Sequence, residues 1–180
     1  MDVDLLAEGA HIRFMRRIAM VRAPAISLFH KPEGNTVLAS RVRGHTTSAA
    51  AKSIVVRVKL GKKSRRYVLA VVCGHRRVDL AAVARCFGGL EGRFAERDVA
   101  AELTGCVSGS IMPLSFHQDL SVVADVELLG QPCLYFNTGR LDHSVGMSVG
   151  LWLALAAPRI EHIADLSTIE IAPASDVVMS

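Results

Sequence analysis

Three short stretches of this chain combine residue types and spacings that could do chemistry. The first is AAKSIVV, residues 50–56, in which Lys52 stands at the entrance of an apolar strand. An ammonium group in that position can hold a phosphate or polarise a carbonyl group. The residues alone favour the simpler alternative, which is a lysine on an exposed strand edge.

The second stretch is TGCVSGSIMP, residues 104–113, a glycine-containing loop that follows a helix. Gly105 and Gly109 are four residues apart, and Pro113 follows four residues later. Glycine lets the backbone approach a ligand closely, and successive N–H groups can bind an oxyanion. The loop lacks the Gly-Lys-Ser/Thr ending of a nucleotide phosphate loop, and an ordinary helix stop and turn is the alternative.

The third stretch is YFNTGRLDHSV, residues 135–145, which reads as a strand, a polar turn and a second strand. Such a hairpin can place Asn137 and Ser144 side by side. The alternative is a hairpin whose polar residues only satisfy its own backbone.

The elements that position these stretches follow from hydrophobic periodicity and from glycine and proline. Residues 53–60 and 66–73 are rich in Val and Ile, and Gly61-Lys62-Lys63 between them predicts a hairpin at the centre of the sheet. Further strands are predicted over 25–29, 120–126, 133–137 and 144–148, helices over 2–20, 45–51, 79–87, 96–104 and 149–157, and loops over 31–44 and 105–118. Helices and short strands without regular βαβ alternation predict an α+β fold.

In this order, the three stretches and the segment YVLAVVCGHRRVDLAAVARCFGG (residues 67–89) resemble the YbaK/ProX family of aminoacyl-tRNA deacylases. The family also occurs as the editing domain of some prolyl-tRNA synthetases. The resemblance covers residues 45–165 and is weak over 1–40. It implies one compact domain over residues 1–180, with a curved, mixed, barrel-like β-sheet flanked by helices.

The resemblance also implies roles for residues in the three stretches. Lys52 matches the family's essential lysine, and Gly109 to Pro113 match a Gly-x-x-x-Pro loop that holds the aminoacyl end by its backbone. The residues to which it assigns catalysis are Lys52, Gly109, Ser110 and Pro113. Those to which it assigns substrate binding are His45, Thr46, Ile111, Met112, Asn137, Gly139 and Ser144.

The implied function is that of a trans-editing hydrolase that deacylates mischarged tRNA. The family's small pocket implies a small amino acid such as Ala, Cys or Ser, carried on tRNA-Pro. The reaction uses a water and the 2′-hydroxyl of the terminal adenosine, without a cofactor or a metal. A synthetase is a further candidate partner. The alternative is a catalytically inactive tRNA- or synthetase-binding module of the same fold.

Charge and cysteine content are compatible with this function. The net charge of +4 permits RNA as a partner, and Lys62 to Arg66 with Arg76 and Arg77 are candidate phosphate contacts. The four cysteines form no C-x-x-C pair, and the histidines have no metal-ligand spacing. Cys106 lacks a nucleophile signature. No stretch approaches the ~20 apolar residues of a membrane span, and a cytoplasmic location is expected.

Overall fold

The structure of the protein is a computed structural model that describes residues 3–22 and 24–169. Helices α1 to α5 are Val3–Met20, Thr36–Arg43, Leu80–Cys86, Arg97–Thr104 and Val149–Ala156. Strands β1 to β10 are Ala25–Phe29, Ala51–Lys59, Arg65–Cys73, Arg76–Val78, Glu91–Phe94, Leu120–Asp125, Cys133–Asn137, His143–Ser148, Arg159–Glu161 and Ala164–Ile169. Two 3-10 segments are Thr47–Ala49 and Val126–Gly130. The predicted α+β class is confirmed.

The strands form one large mixed sheet and two small antiparallel ones. The five-stranded sheet has the order β5-β2-β3-β6-β9, in which β2 is antiparallel to β3 and β5, whereas β6 is parallel to β3 and β9. The small sheets have the orders β1-β8-β7 and β10-β4. The predicted hairpin, β2 and β3, lies within the large sheet as expected. Because β5 and β9 remain edges, this sheet is not closed, and the barrel-like shape is not confirmed.

Each face of the large sheet covers its own hydrophobic core. On one face, Val55 and Leu69 pack in a cluster with Phe14 of α1, Phe136 of β7 and Trp152 of α5. The opposite face contributes a second cluster that contains Val83 of α3. The sheet residues of that second cluster are Val56, Val58, Val68, Ala70, Val72 and Val123. Successive residues of β2 therefore point to different cores, as the two-residue period of a strand requires.

The predicted loop over residues 31–44 is wrong from residue 36 onward, because the structure has helix α2 there. Asn35 caps the helix, and its side chain accepts hydrogen bonds from the N–H groups of Val37 and Leu38. Gly44 ends the helix with a left-handed φ of 73°. Asn and Gly are typical loop residues, but here they are the two caps of a short helix.

The predicted helix over residues 45–51 was also too long. Residues Thr47–Ala49 form a single 3-10 turn, and Ala51 already belongs to β2. Four short strands were missed, namely β4, β5, β9 and β10, since segments of three to six residues carry little periodicity. The remaining predicted helices and strands agree with the structure within two residues at each end.

No helix in the described part of the chain is long and apolar enough to cross a bilayer. Residue 2, where the first predicted helix begins, lies outside the described residues, and so does the C-terminal segment from residue 170 onward.

Candidate active site

A cleft of about 310 Å³ lies along the first half of β2. Strand β3 pairs with β2 along its whole length, but on the other side β5 pairs only with Val56–Lys59, so in the described chain no strand pairs with Ala51–Val55 on that side. The cleft occupies this gap. Its walls come from β2, α2, α4 and the loop after α4, and Lys52 is among the lining residues. Residues from both faces of β2 reach the cleft, because it opens at the strand's edge.

The backbone of β2 also faces this cleft. The N–H of Ala95 donates to the carbonyl oxygen of Val55 at 2.9 Å, so the peptide groups of Val55 point away from β3. In an antiparallel pair this direction alternates along the strand. The N–H and C=O of Ser53 therefore point to the same open edge. The Ser53 hydroxyl is buried and has no hydrogen-bond partner among the described residues.

The loop after α4 meets the β1–α2 connection through two glycines. Gly109 has a φ of +86°, and a Cβ atom there would lie 2.8 Å from the Cα of Gly34. Both glycines line the cleft. Glycine is thus required at position 109 for two reasons, namely its left-handed backbone conformation and the close approach of another chain segment.

Asn137 fixes this loop to the rest of the site. Its Nδ2 donates to the carbonyl oxygens of Glu33 and Gly109, both at 3.0 Å. Its Oδ1 accepts from Arg43 Nη2 at 2.6 Å and from the Ser144 hydroxyl at 2.7 Å. The two carbonyl oxygens that accept from Nδ2 and the two groups that donate to Oδ1 define which end of the amide is the nitrogen. Together they use the full hydrogen-bonding capacity of the side chain. Asn137 is therefore a structural junction in the cleft wall.

Arg43 was not predicted, because it lies at the end of the helix that was read as a loop. Burial lowers the pKa of Arg43 to about 10, and the nearby Glu33 opposes that shift. Its Nε is buried without a hydrogen-bond partner in the described residues. Arg43 lies in the last turn of α2, eight positions before β2 begins, and it would have been a signal only if Asn35 and Gly44 had been recognised as helix caps.

The predicted site residues separate into a lining set and a supporting set. Four of them line the cleft, namely Lys52, Gly109, Ile111 and Asn137. The others, which do not line it, are His45, Thr46, Ser110, Met112, Pro113, Gly139 and Ser144. The predicted proximity of Asn137 and Ser144 is confirmed, because the two residues are directly paired between β7 and β8.

Residues of the Gly-x-x-x-Pro loop behind Gly109 hold its shape. Ser110 is fully buried, and its hydroxyl donates to the Val107 carbonyl at 2.9 Å. The carbonyl oxygen of Ser110 accepts from the Gly139 N–H at 3.1 Å. Met112 is core, and the Pro113 carbonyl accepts from Trp152 Nε1 at 2.8 Å.

His45 and Thr46 also make their contacts outside the cleft lining. The His45 ring stacks on Tyr135 with centroids 4.1 Å apart, and burial lowers the pKa of His45. The Thr46 and Ser48 hydroxyls are hydrogen-bonded at 2.9 Å. Behind the β7–β8 hairpin, Ser144 is also bonded to His30 at 2.6 Å. None of these polar residues is part of the cleft lining.

The charge of the cleft is entirely positive. Arg43, Lys52 and Arg97 line it, and no carboxylate or imidazole is among the described lining residues. Cys106 also lines it, but burial raises the pKa of its thiol, which disfavours the nucleophilic thiolate. The arrangement can bind phosphate and stabilise a developing oxyanion, while it offers no carboxylate or histidine as a general base.

Comparison with known proteins places the chain in a family. A family model described as the aminoacyl-tRNA editing domain matches residues 30–155. The chain belongs to the aminoacyl-tRNA editing domain family. A curated relative, the multifunctional Ser/Thr-tRNA deacylase ProXp-y of Escherichia coli K12, is 34% identical over 158 residues, which cover 86% of this chain and 94% of the relative.

Solved structures share the fold of this chain. One is a candidate trans-editing enzyme for prolyl-tRNA synthetase, with a TM-score of 0.69 at 23% identity over 92% of this chain and 98% of that one. Another, the protein APE2540, has a TM-score of 0.75 at 20% identity over 84% of this chain and 99% of that one. The predicted family and the predicted enzyme class, an aminoacyl-tRNA deacylase, are confirmed.

One group of residues in the described part of this editing domain could hold a metal ion. Ligand atoms of Cys73, His75 and Glu127 lie within 4.8 Å of one another, away from the cleft lining. Glu127 already binds Arg76 at 2.9 Å and His75 at 3.0 Å. Burial and the nearby carboxylates raise the pKa of Cys73 to about 12. The expected absence of a metal stays a prediction.

Proposed function

We propose that this editing domain hydrolyses the ester bond of tRNA mischarged with a small amino acid, with serine as the preferred one. The observation that carries the proposal is the position of Lys52 in a small, wholly cationic cleft against the Gly109 loop. Serine is common to the small amino acids that the sequence resemblance implies and to the activity in the name of the E. coli relative, a Ser/Thr-tRNA deacylase. The resemblance makes tRNA-Pro the first candidate carrier.

The cleft accounts for the reaction without a protein nucleophile. A water molecule attacks the ester carbonyl, whose electron pair moves onto oxygen and is stabilised by the cations of the cleft. Collapse of this intermediate expels the ribose oxygen, which takes up a proton, and it releases the free amino acid and tRNA. By resemblance, the 2′-hydroxyl of the terminal adenosine assists the water.

Binding of the tRNA end has its own candidates in the cleft. The side chain of Phe94 lines the cleft and is 60% exposed, which suits stacking on the terminal base. Arg97, also in the lining, is placed to bind a phosphate. These assignments predict an RNA end that enters between β5 and α4.

The direct test is hydrolysis of a panel of purified charged tRNAs. We expect the wild-type protein to deacylate Ser-tRNA-Pro faster than Thr- or Ala-tRNA-Pro, and to leave Pro-tRNA-Pro intact. The measurement is loss of labelled amino acid from tRNA under single-turnover conditions. If every tRNA in the panel, and the corresponding aminoacylated CCA trinucleotides, remain charged, the protein is a binding module and the proposal is wrong.

Ser53 tests the choice of serine. Its buried hydroxyl has no partner in the described residues, and a substrate hydroxyl in the cleft would supply one. We expect Ser53→Ala to lower kcat/KM for Ser-tRNA about tenfold, the equivalent of one neutral hydrogen bond of ~1.4 kcal/mol. Ala-tRNA is the internal control, because the alanine side chain has no hydroxyl that could bond to Ser53. Equal losses on both substrates would assign Ser53 a structural role instead.

A further inference from the structure

A set of exposed cations continues from the cleft along the same face of the large sheet. Ser53 and Val55 line the cleft, and the next residues of β2 on that face are Arg57 and Lys59. Alternate residues of a strand share a face, so the four side chains follow one another in a line. Arg57 and Lys59 are both exposed.

The neighbouring strands extend this set. Arg93 of β5 lies directly opposite Arg57, and Arg65 of β3 lies directly opposite Lys59. Residues that are paired across two strands share a face. Both are exposed. We call these four residues, Arg57, Lys59, Arg65 and Arg93, the basic face.

The basic face contains like charges in directly opposed positions, which cost stability. Arg57 faces Arg93, and Lys59 faces Arg65, and such pairs are destabilising in a sheet. One carboxylate, Glu91, shares the face and binds Arg93 at 2.7 Å. It lies opposite Lys59, and all three neighbouring cations lower its pKa, the hydrogen bond from Arg93 most strongly. One carboxylate among four cations leaves an excess that suits a polyanion.

The position of the basic face fits a ligand whose end enters the cleft. Lys59 follows Lys52 by seven positions along β2, which is about 23 Å at a rise of ~3.3 Å per residue. We propose that the basic face binds the phosphates of the tRNA acceptor arm while the aminoacylated end lies in the cleft. This inference rests on the proposed function, and it identifies which surface of the domain the RNA follows.

Only some of the basic residues that the sequence suggested as phosphate contacts lie on the basic face. Of Lys62 to Arg66 with Arg76 and Arg77, Arg65 belongs to the basic face. Arg66 is on the opposite face of β3, where it lies over the Phe87 ring at 5.6 Å. Arg76 binds Glu127 and belongs to β4, which follows the other end of the hairpin.

The test compares two double variants that lose the same charge. Arg57→Gln/Arg93→Gln removes one opposed pair from the basic face. Arg66→Gln/Arg85→Gln is the control, because Arg66 is on the opposite face and Arg85 belongs to α3, which packs there. The measurement is binding of fluorescently labelled, uncharged tRNA by anisotropy over a salt series, with hydrolysis of the seryl-CCA trinucleotide as the second readout.

We expect the basic-face variant to bind tRNA about tenfold more weakly at low salt. The plot of log affinity against log salt should become less steep, with the magnitude of its slope reduced by about two. Its trinucleotide hydrolysis should equal that of the wild type, and the control should bind tRNA normally. Unchanged affinity in the first variant, or an equal loss in the control, overturns the inference. Because uncharged tRNA binding does not depend on hydrolysis, a failure of the proposed function would be seen separately in the trinucleotide assay.

Discussion

Lys52→Ala is expected to lower the rate of deacylation about 10²–10³-fold while the protein stays folded. Lys52 lines the cleft at the stretch of β2 that β5 does not cover, and no carboxylate is among the described lining residues. In the proposed mechanism, a fixed cation there stabilises both the phosphate of the tRNA end and the oxyanion of the intermediate. The measurement is single-turnover hydrolysis of Ser-tRNA, with circular dichroism and a melting curve to verify the fold.

Two further variants sharpen this test. Lys52→Arg keeps the charge but changes the shape and the hydrogen-bonding geometry of the cation, so partial activity would separate charge from geometry. Lys63→Ala is the matched control, since it removes the same charge from the exposed hairpin turn. Because Lys63 is also a candidate phosphate contact, the comparison uses the seryl-CCA trinucleotide as substrate. Near-normal hydrolysis by Lys52→Ala would show that the active site is misassigned.

Gly109→Ala is expected to reduce activity about 100-fold and also to destabilise the protein. The substitution puts a side chain on a residue with a φ of +86° and a Cβ atom 2.8 Å from the Cα of Gly34 and 3.0 Å from its carbonyl oxygen. Neither neighbour is a flexible side chain, so the loop must move away from the cleft. A displacement of ~1 Å at a site of this kind typically costs 10²-fold in rate. Backbone strain of ~1–3 kcal/mol corresponds to a fall in Tm of roughly 2–10 °C.

Gly88→Ala separates strain from displacement. Gly88 also has a left-handed φ, of +66°, but a Cβ atom there would meet nothing within 4 Å. It follows α3, on the opposite face of the sheet from the first core. We expect Gly88→Ala to lower Tm moderately and to keep full activity. If Gly109→Ala were as active as Gly88→Ala, the loop would not be part of the catalytic machinery.

Much of the fold could be predicted because periodicity and helix caps act locally. The β2–β3 hairpin is rich in Val and Ile, and α3 is capped by Asp79, whose side chain accepts from the Ala82 N–H at 2.9 Å. The same local signals were present for α2 but were misread. Asn35 and Gly44 are caps of a helix and also common residues of loops, and eight residues between them give a weak periodic signal.

The site was predictable only where a residue's identity implies its role. A lysine at a strand entrance and a glycine that needs positive φ are unusual enough to be noticed, and Lys52 and Gly109 do line the cleft. Arg43 and Ser53 have ordinary residue types in ordinary positions. Their importance arises from burial in the cleft wall, which depends on how α2 and the free edge of β2 come together.

By itself, the sequence determined the α+β class, the central hairpin and the residues at the ends of its elements, because these depend on interactions between near neighbours in the chain. Tertiary structure decided which polar groups face the cleft. The pairing of β5 with only half of β2 opens the strand's edge at Lys52, and the contact of Gly34 with Gly109 joins segments 75 residues apart. Asn137 then satisfies donors and acceptors from four segments at once. Such contacts leave no periodic signal in the sequence, since each depends on the packing of elements that are distant in the chain.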